Sequence, residues 1–511
     1  MKNLFIKRYL LTAIITVFSF NACDVTRLDS PPLGLTEESY FTLQSEFEQT
    51  LYNAYAKMTD WYWFRAQNYL HPIYYLPGDD ITEINGTYGT WEIFNNLNPT
   101  NGEIAYFWRS TYELIQRTNV VIEKTTAADP SLFDDPSFLD IHRGEALFLR
   151  SLANFKLFNM FGTAPVITER LGVETLHQPK SQGTALLDQA ITDLQTAIPL
   201  LPDAWDASQL GRATKNSARG LLLKSLVFRG DYTGNTADYT AAIPVYNEIT
   251  ASLTADYTDN FSALTENNEE SIFEFQASRA PGQDNIWLQN DGPWRGVEVM
   301  STYWGFYTIV SNEARNNLRG NVWKVTEKMN TAYGTDPRVD FFTEDNRDFT
   351  KYGMEGLDQL SGTVGSLNNV RILRYAESKL LAAEAILLSG GSKAEAIALI
   401  NEIRERARTW AGSAEPADRN TAETDDAIIM QWIEDERAIE LLGEEQIRWF
   451  DLKRWDARGY KDLSSWGGGD QHFSTDLSAN FQFEYPRHLL LPIPQGEVNA
   501  NEQINENNPG Y

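Results

Sequence analysis

Cysteine is nearly absent from this chain. Cys23 stands alone in 511 residues, so no internal disulfide can form and stability must come from packing. Metal and nucleotide signatures are missing as well. The histidines His71, His142, His177, His472 and His488 are scattered, with no HExxH spacing and no cysteine partner for a zinc site. No EF-hand pattern supports a calcium ion among the acidic loops, and no cofactor is expected. No GxSxG elbow, P-loop or GxGxxG after a strand is found, which removes the common signatures of hydrolases and of nucleotide-binding enzymes. Basic residues are scarce: 43 Lys and Arg against 71 Asp and Glu give a formal net charge of −28. Phosphate backbones need basic patches, so nucleic acid is not an expected partner. The same charge disfavours anionic polymers, although a local basic cleft can override it.

The apolar runs are short, and the most prominent lies at the start. Lys2, Lys7 and Arg8 precede Tyr9 to Phe20 ("YLLTAIITVFSF"), and Ala22 sits just before Cys23. That run is short for a bilayer span and follows the order of a secretory signal peptide, expected over residues 1–22. Cleavage before Cys23 makes its thiol the first mature residue. This arrangement resembles a bacterial lipoprotein, in which the thiol carries lipid and anchors the protein to a membrane. The competing reading is a free buried cysteine that happens to follow a signal. Residues 23–34, with "DVTRLDSPPLG", read as the lipidated tether.

The rest is globular in composition, 42% hydrophobic and 22% charged, and long enough to bury a large core. Helical periodicity dominates it. Ser45-Glu46-Phe47-Glu48 fits a capping box, after which Leu51, Ala54, Tyr55 and Met58 share a helical face. Trp108, Tyr112, Ile115 and Ile122 mark a second helix; Trp61 to Asn101 between them reads as a long structured loop. Glu145 to Phe161 is apolar almost all round, as in a deeply buried helix, and Gly162 and Pro165 stop it. Leu186, Ala190, Leu194 and Ala197 form another stripe. Asn216 to Arg229 and Tyr239 to Thr250 read as a helix pair separated by "GDYTGNTAD". A second pair, Ala376 to Leu387 and Ile397 to Ala407, turns at "SGGSK". Each unit is close to the tetratricopeptide period, but the pairs lie far apart, which predicts scattered repeats rather than a simple solenoid. Ala255 to Tyr352 reads as loops with a few short strands. The fold class is mainly α: a tetratricopeptide-like helical scaffold with loop-rich segments.

Acidic pairs such as Asp79-Asp80 and Glu436/Glu440 have the residue types of glycosidase carboxylates. With 71 acids such pairs arise by chance, and nothing local marks them as perturbed. The densest constellation is Ile433 to Trp455, "IEDERAIELLGEEQIRWFDLKRW", read as a helix followed by a packed aromatic segment. Its charges must be paired or at the surface, and buried Arg–carboxylate pairs fixing a helix are the favoured reading.

In order along the chain, "RGEALFLRSLANFKLFNMFGTAPVI" (143–167), "GRATKNSARGLLLKSLVFRGDY" (211–232), "DPR" (336–338), "RYAESKLLAAEA" (374–385) and "INEIRERA" (400–407) are followed by ER-x-x-EL at 436–441, R-W-x-D-L-x-R-W at 448–455, "LLPIPQGEV" (490–498) and "NNPGY" (507–511). This series resembles the SusD/RagB family of surface glycan-binding lipoproteins, over nearly the whole chain. The resemblance implies an N-terminal SusD-like helical region at 35–254 and a C-terminal region at 255–511 with ligand loops and later repeats. It implies a lipid-anchored protein on the outer-membrane surface that captures oligosaccharides without cutting them. The expected partner is a SusC-like TonB-dependent barrel that receives the cargo. A peptide-capturing subunit of the RagB kind and a secreted helical glycosidase are the alternatives.

The 14 Trp and 23 Tyr are suited to stacking on the C–H faces of pyranose rings, and several lie in non-periodic stretches. The candidate ligand residues are Trp91 with Asn95, then Trp294, Tyr303 and Trp304, with Asp80 as a hydroxyl acceptor; Cys23 is the lipid attachment point. Cys23→Ser is expected to release the protein from the membrane fraction and to leave glycan binding by the purified protein unchanged, as read by fractionation and affinity electrophoresis.

Overall fold

The computed structural model describes residues 37–64, 68–69, 72–83, 89–276, 323–341, 347, 349, 351–352, 368–445, 447–466 and 480–511. The expected signal peptide and tether, Cys23 included, lie outside the described residues, as do Trp294, Tyr303 and Trp304. Phe47–Tyr511 is one compact unit and Met1–Glu46 another.

The long helices follow the predicted periodicities closely. They are α1 (Gln44–Lys57), α2 (Gly102–Ala127), α3 (Ser137–Phe161), α4 (Ala185–Ala197), α5 (Lys215–Thr233), α6 (Thr236–Asn247), α7 (Tyr375–Leu388), α8 (Lys393–Ala411), α9 (Asp426–Glu440) and α10 (Ile447–Arg458). Side-chain caps start several of them. Asn101 accepts from the Glu103 and Ile104 amides at α2, Thr214 from Ser217 at α5, Ser392 from Glu395 at α8 and Asp425 from Ala427 at α9. The expected capping box at Ser45 to Glu48 is displaced. Glu46 is the residue that reaches back, accepting from the amides of Thr42 (2.7 Å) and Leu43 (2.9 Å).

α3 is the centre of the core. Every residue from Gly144 to Phe161 is buried, and each large apolar side chain there contributes about 1.5–3 kcal/mol. The helix ends at Gly162, whose φ of +69° favours glycine and where a Cβ would meet Leu490 at 2.8 Å. α2 packs on α3, α3 on α4, α4 on α5, α5 on α6, α6 on α7 and α7 on α8 and α9. The two helix pairs far apart in sequence are therefore neighbours in space. Contact of α6 with α7 joins them, so the repeats form one array rather than a scattered set.

The break between α5 and α6 is narrower than the sequence suggests. α5 continues through Gly230, Asp231 and Tyr232, leaving only Gly234 and Asn235 as the turn. Asp231 points inward to Arg454 and to the Tyr239 hydroxyl, and a Cβ at Gly230 would sit 2.7 Å from the Tyr239 ring. Likewise, the packed aromatic segment expected after α9 is itself a helix, α10. Arg448, Asp451 and Arg454 face inward because each is paired there.

Strands are few and short: β1 (Trp63–Phe64), β2 (Asn68–Tyr69), β3 (Ile81–Glu83), β4 (Ser271–Phe275), β5 (Trp323–Val325) and β6 (Val370–Arg374). They form antiparallel pairs, β1 with β2, β3 with β5, and β4 with β6. β6 delivers Arg374 to the start of α7.

Around α9 lies a lattice of buried ions. Glu440 accepts from Arg338 (2.8 Å), Arg374 (2.7 Å) and Arg406 (2.5 Å). Arg374 also pairs with Glu270 (2.6 Å) and Glu444 (2.7 Å), and Arg338 with Asp336 and Glu436. On a second side Arg437 pairs with Asp451, and Arg454 with Asp231, Glu384 and Asp451. Burial by itself raises the Glu440 pKa, but Arg406, Arg374, Arg338 and Lys351 outweigh it and hold the carboxyl well below the usual glutamate range. Its contribution is thus fully present above the unfolded value of about 4.3 and is lost as pH falls below it. Glu440→Ala, which strands three guanidinium groups, is expected to cost about 3–5 kcal/mol in urea unfolding at neutral pH. Glu440→Gln should flatten the acid limb of the stability–pH curve.

Candidate functional site

Asp79 and Asp80 precede β3 and are stitched to the far side of the β3–β5 pair. The Thr326 amide donates to the Asp80 carbonyl (2.9 Å), and its hydroxyl to the Asp79 carbonyl (2.6 Å). Asp79 is fully buried and paired with Arg448 of α10 and with Lys328. Although burial raises its pKa, Arg448 and Lys328 hold the carboxyl well below the ordinary range. Asp80 is 2% exposed; its Oδ2 accepts from the Gly443 amide (3.1 Å), and its Oδ1 has no hydrogen-bond partner among the described residues. Burial, then the neighbouring Asp79 charge, pushes it up to about 6. Asp80 is therefore placed as an internal acceptor that holds the α9–α10 turn, not as an acceptor for ligand hydroxyls. That turn needs Gly443: its φ is +64°, and a Cβ there would lie 2.3 Å from the Phe349 ring.

The other expected acid pair is equally committed. Glu436 is bound by Arg338 and Arg404, and Glu440 by three arginines, so both serve the lattice around α9. Among the described residues no group of three or more His, Cys, Asp or Glu side chains is placed to hold a metal. Among them, too, no helix is long and apolar enough to cross a membrane.

Trp91 lies in a one-turn helix, Gly89–Glu92, next after β3 in the described chain. It is 2% exposed, and its Nε1 donates to Glu103 (2.9 Å), which places the indole in the core instead of at a stacking surface. Beside it, Glu92 accepts from the Glu83 amide (2.8 Å) and the Thr82 hydroxyl, fastening the turn to β3. Asn95 is different. It is exposed, its amide N–H donates to the Thr90 carbonyl (3.0 Å), and its side chain makes no hydrogen bond among the described residues.

The backbone around Asn95 is strained. Phe94 and Asn96, on either side of it, both have φ of +57°, a conformation that costs a non-glycine residue about 1–2 kcal/mol. Packing holds Phe94 there. Its ring meets Phe483 (4.9 Å), His488 (5.5 Å, stacked), Trp449 (5.6 Å) and Phe481 (5.8 Å). His488 is kept in place by the Glu484 amide donating to its Nδ1 (2.9 Å), and burial pushes its pKa down to about 4, so the ring is neutral. The Gln482 amide donates to the Ile93 carbonyl (2.8 Å), tying the C-terminal segment to the same loop. The result is a rigid loop that presents the Asn95 amide outward. Phe94 and Asn96 escaped sequence reasoning; the Asn-Asn pair, a residue type that tolerates positive φ, was the one signal for them. Nothing in the sequence foretold the aromatic cage under Phe94.

Of the six expected ligand residues, the structure thus brings Asp80, Trp91 and Asn95 to the ends of β3, with only Asn95 at the surface. β5, which pairs with β3, is the first described element after residues 277–322, the stretch that contains Trp294, Tyr303 and Trp304.

The sequence profile of the SusD family matches residues 250–511, and a second, described as "Starch-binding associating with outer membrane", matches residues 34–225. The chain is 26% identical to SusD-like protein P2 of Formosa agariphila, over 99% of this chain and 100% of that one. Its fold is similar to that of a laminarin binding SusD-like protein, with a TM-score of 0.71 and 23% identity over 92% of this chain and 100% of the other. It is similar also to a SusD homolog from Bacteroides thetaiotaomicron, with a TM-score of 0.73 and 21% identity over 93% and 99%. The helical fold and the profile matches agree: the chain belongs to the SusD family of glycan-binding proteins.

Proposed function

We propose that this protein is a non-catalytic oligosaccharide-capturing lipoprotein of the outer-membrane surface, anchored through Cys23, that passes its cargo to a SusC-like TonB-dependent barrel. The observation that carries the reading is the Phe94–Asn95–Asn96 loop. Its strained backbone is held by aromatic packing, so that an amide able both to donate and to accept faces outward before any ligand arrives. A hydroxyl-rich ligand gains from such a donor–acceptor pair because no loop has to be ordered on binding. Trp294, Tyr303 and Trp304 are assigned the stacking role on their residue type and their place in the chain before β5. Trp91 supports the loop from below.

A non-catalytic role fits the committed state of the acid pairs, since Asp79, Glu436 and Glu440 are all held by arginines. Two or three aromatic stacks with hydrogen bonds give affinities of order μM to mM, weak enough for a ligand that must be handed on. The description of the N-terminal profile match supports the outer-membrane location, and the similar laminarin-binding structure makes laminarin a first ligand to try.

Affinity electrophoresis across a panel of neutral and acidic polysaccharides, followed by calorimetry, tests this reading. At least one glycan should be retained with no release of reducing ends. Trp304→Ala and Asn95→Ala should each weaken retention about tenfold, the loss of one stack or one polar contact. Released reducing ends would point to a glycosidase, and peptide binding without carbohydrate binding would point to a RagB-like peptide carrier. Unchanged retention in Asn95→Ala, Trp294→Ala and Trp304→Ala would remove the site.

A further inference from the structure

A cavity of about 1010 Å³ opens between the C-terminal end of α3, residues 179–184, α10 and the C-terminal tail. None of the residues of the Asn95 loop lines it. Three cations do: Lys453, Lys180 and Arg487. Lys453 is the unusual one. It is 4% exposed, and its Nζ donates to the Asn159 carbonyl, with the rings of Phe450 and Trp449 at 5.0 and 5.8 Å. Among the described residues no carboxylate pairs with it. Lys57, Lys156, Lys224, Lys351 and Lys379 are buried to a similar degree, and each has one, in Asp60, Glu445, Glu377, Glu444 and Glu402 respectively. An ammonium carries three N–H donors, so one carbonyl leaves two of them without a partner among the described residues.

Of the other two cations on the wall, Arg487 is paired with Glu484 (3.0 Å), which leaves Lys180. Lys180 donates to the backbone carbonyls of Glu506 (3.2 Å) and Asn507 (3.3 Å) and feels the Glu506 charge, but among the described residues no carboxylate lies within salt-bridge distance of it. Asp456, a nearby acid, has both oxygens in use, one accepting from the Leu463 amide (2.7 Å) and the other from the Tyr485 hydroxyl (3.2 Å). The Ser181 hydroxyl is buried without a partner, and the amide side chains of Gln182 and Asn505 are exposed and unbonded among the described residues. The Tyr485 ring is 46% exposed at the same wall.

We propose that this cavity is a second ligand site and that it takes a small acidic sugar, whose carboxylate pairs with Lys453 and Lys180. The carboxylate supplies the acceptor that Lys453 lacks. Sugar hydroxyls suit Ser181, Gln182 and Asn505, and the open face of Tyr485 suits a pyranose C–H face. Burial pushes the Lys453 pKa down to about 7, and an arriving carboxylate restores the charged form. The other titratable and charged groups on the wall are Asp456, Glu506, Lys180, Arg487, Tyr232 and Tyr485.

The test is calorimetric titration of the purified chain with galacturonate, its methyl ester, galactose and acetate. Galacturonate should bind at least about tenfold more tightly than the ester, galactose or acetate, because only it offers both the charge and the hydroxyls. Its binding should strengthen as pH is lowered from about 8 to about 6, following the protonation of Lys453. Lys453→Met should weaken it about tenfold or more. Lys180→Gln, at a partly exposed position that folding tolerates, should weaken it several-fold should the first variant fail to fold. Asn95→Ala should leave it unchanged, which separates this site from the one proposed above. Equal binding of the ester or of acetate, loss of binding in Asn95→Ala, or no effect of either lysine variant would overturn the proposal.

Discussion

One carboxylate shared by three arginines organises this molecule. Glu440 closes α9, and its arginines arrive from three separate stretches: Arg338 after a short helix, Arg374 from the end of β6, and Arg406 from α8. All three arginines are buried, so each depends on the others being docked correctly. A buried ion stripped of its partner is far more costly than a mispacked leucine, which makes sliding of one helix past another expensive here. Apolar contacts run through the core from Leu51 to Ile504, but they are non-directional and tolerate small shifts. The ionic lattice specifies the register. An acidic chain is also suited to such a core, because every buried arginine needs one or two carboxylates.

The lattice extends to the presenting loop through the turn between α9 and α10. Gly443 donates to Asp80, and Arg448 pairs with Asp79 one residue earlier. From there β3 leads to the Glu92 clasp and the strained Phe94–Asn96 backbone, with Trp449 of α10 in the cage around Phe94. The exposed Asn95 is thus connected to the most rigid part of the fold by paired charges and rings. Backbone strain of about 1–3 kcal/mol at such a loop is sustained only where the surroundings over-determine it. Here four rings and two backbone hydrogen bonds do so.

Much of the fold was legible in the sequence, because a helix that buries one face must repeat its apolar residues with a period near 3.6. α2, α4 and α8 follow that rule and stand where periodicity places them, whereas α3 was legible as an apolar run buried on every side. The family series read along the chain also agreed with the profile matches. The buried Arg–carboxylate pairs expected in this stretch are present, in Arg437–Asp451 and Arg454–Glu384; that Arg448, Asp451 and Arg454 ride on a helix, α10, was missed because its inward face is charged and carries no apolar period. The joining of the two helix pairs into one stack was hidden for a similar reason, since adjacency across a long insertion leaves no local trace. For the site, composition misled as often as it helped. Trp91 and Asp80 have the chemistry of ligand contacts, yet both are used inside the protein, and only burial separates them from Asn95. Lys453 sits in the motif "WFDLKRW", where no pattern distinguishes a lysine with a carboxylate from one without.

The acidity of the whole chain and the cationic cavity are compatible because charge acts over short range in salt. The Debye length is about 8 Å at physiological ionic strength, so most of the −28 lies too far away to oppose an anion already inside the cavity. At the mouth the balance differs, since the surrounding acids slow the approach of polyanions while a single carboxylate on a small ligand meets little resistance. Size and charge then act together. A long polyanion is disfavoured by the surface, whereas a short acidic fragment that fits within about 1010 Å³ reaches Lys453. Selectivity of that kind requires no extra residue beyond an unpaired lysine, a cavity, and an acidic protein around both.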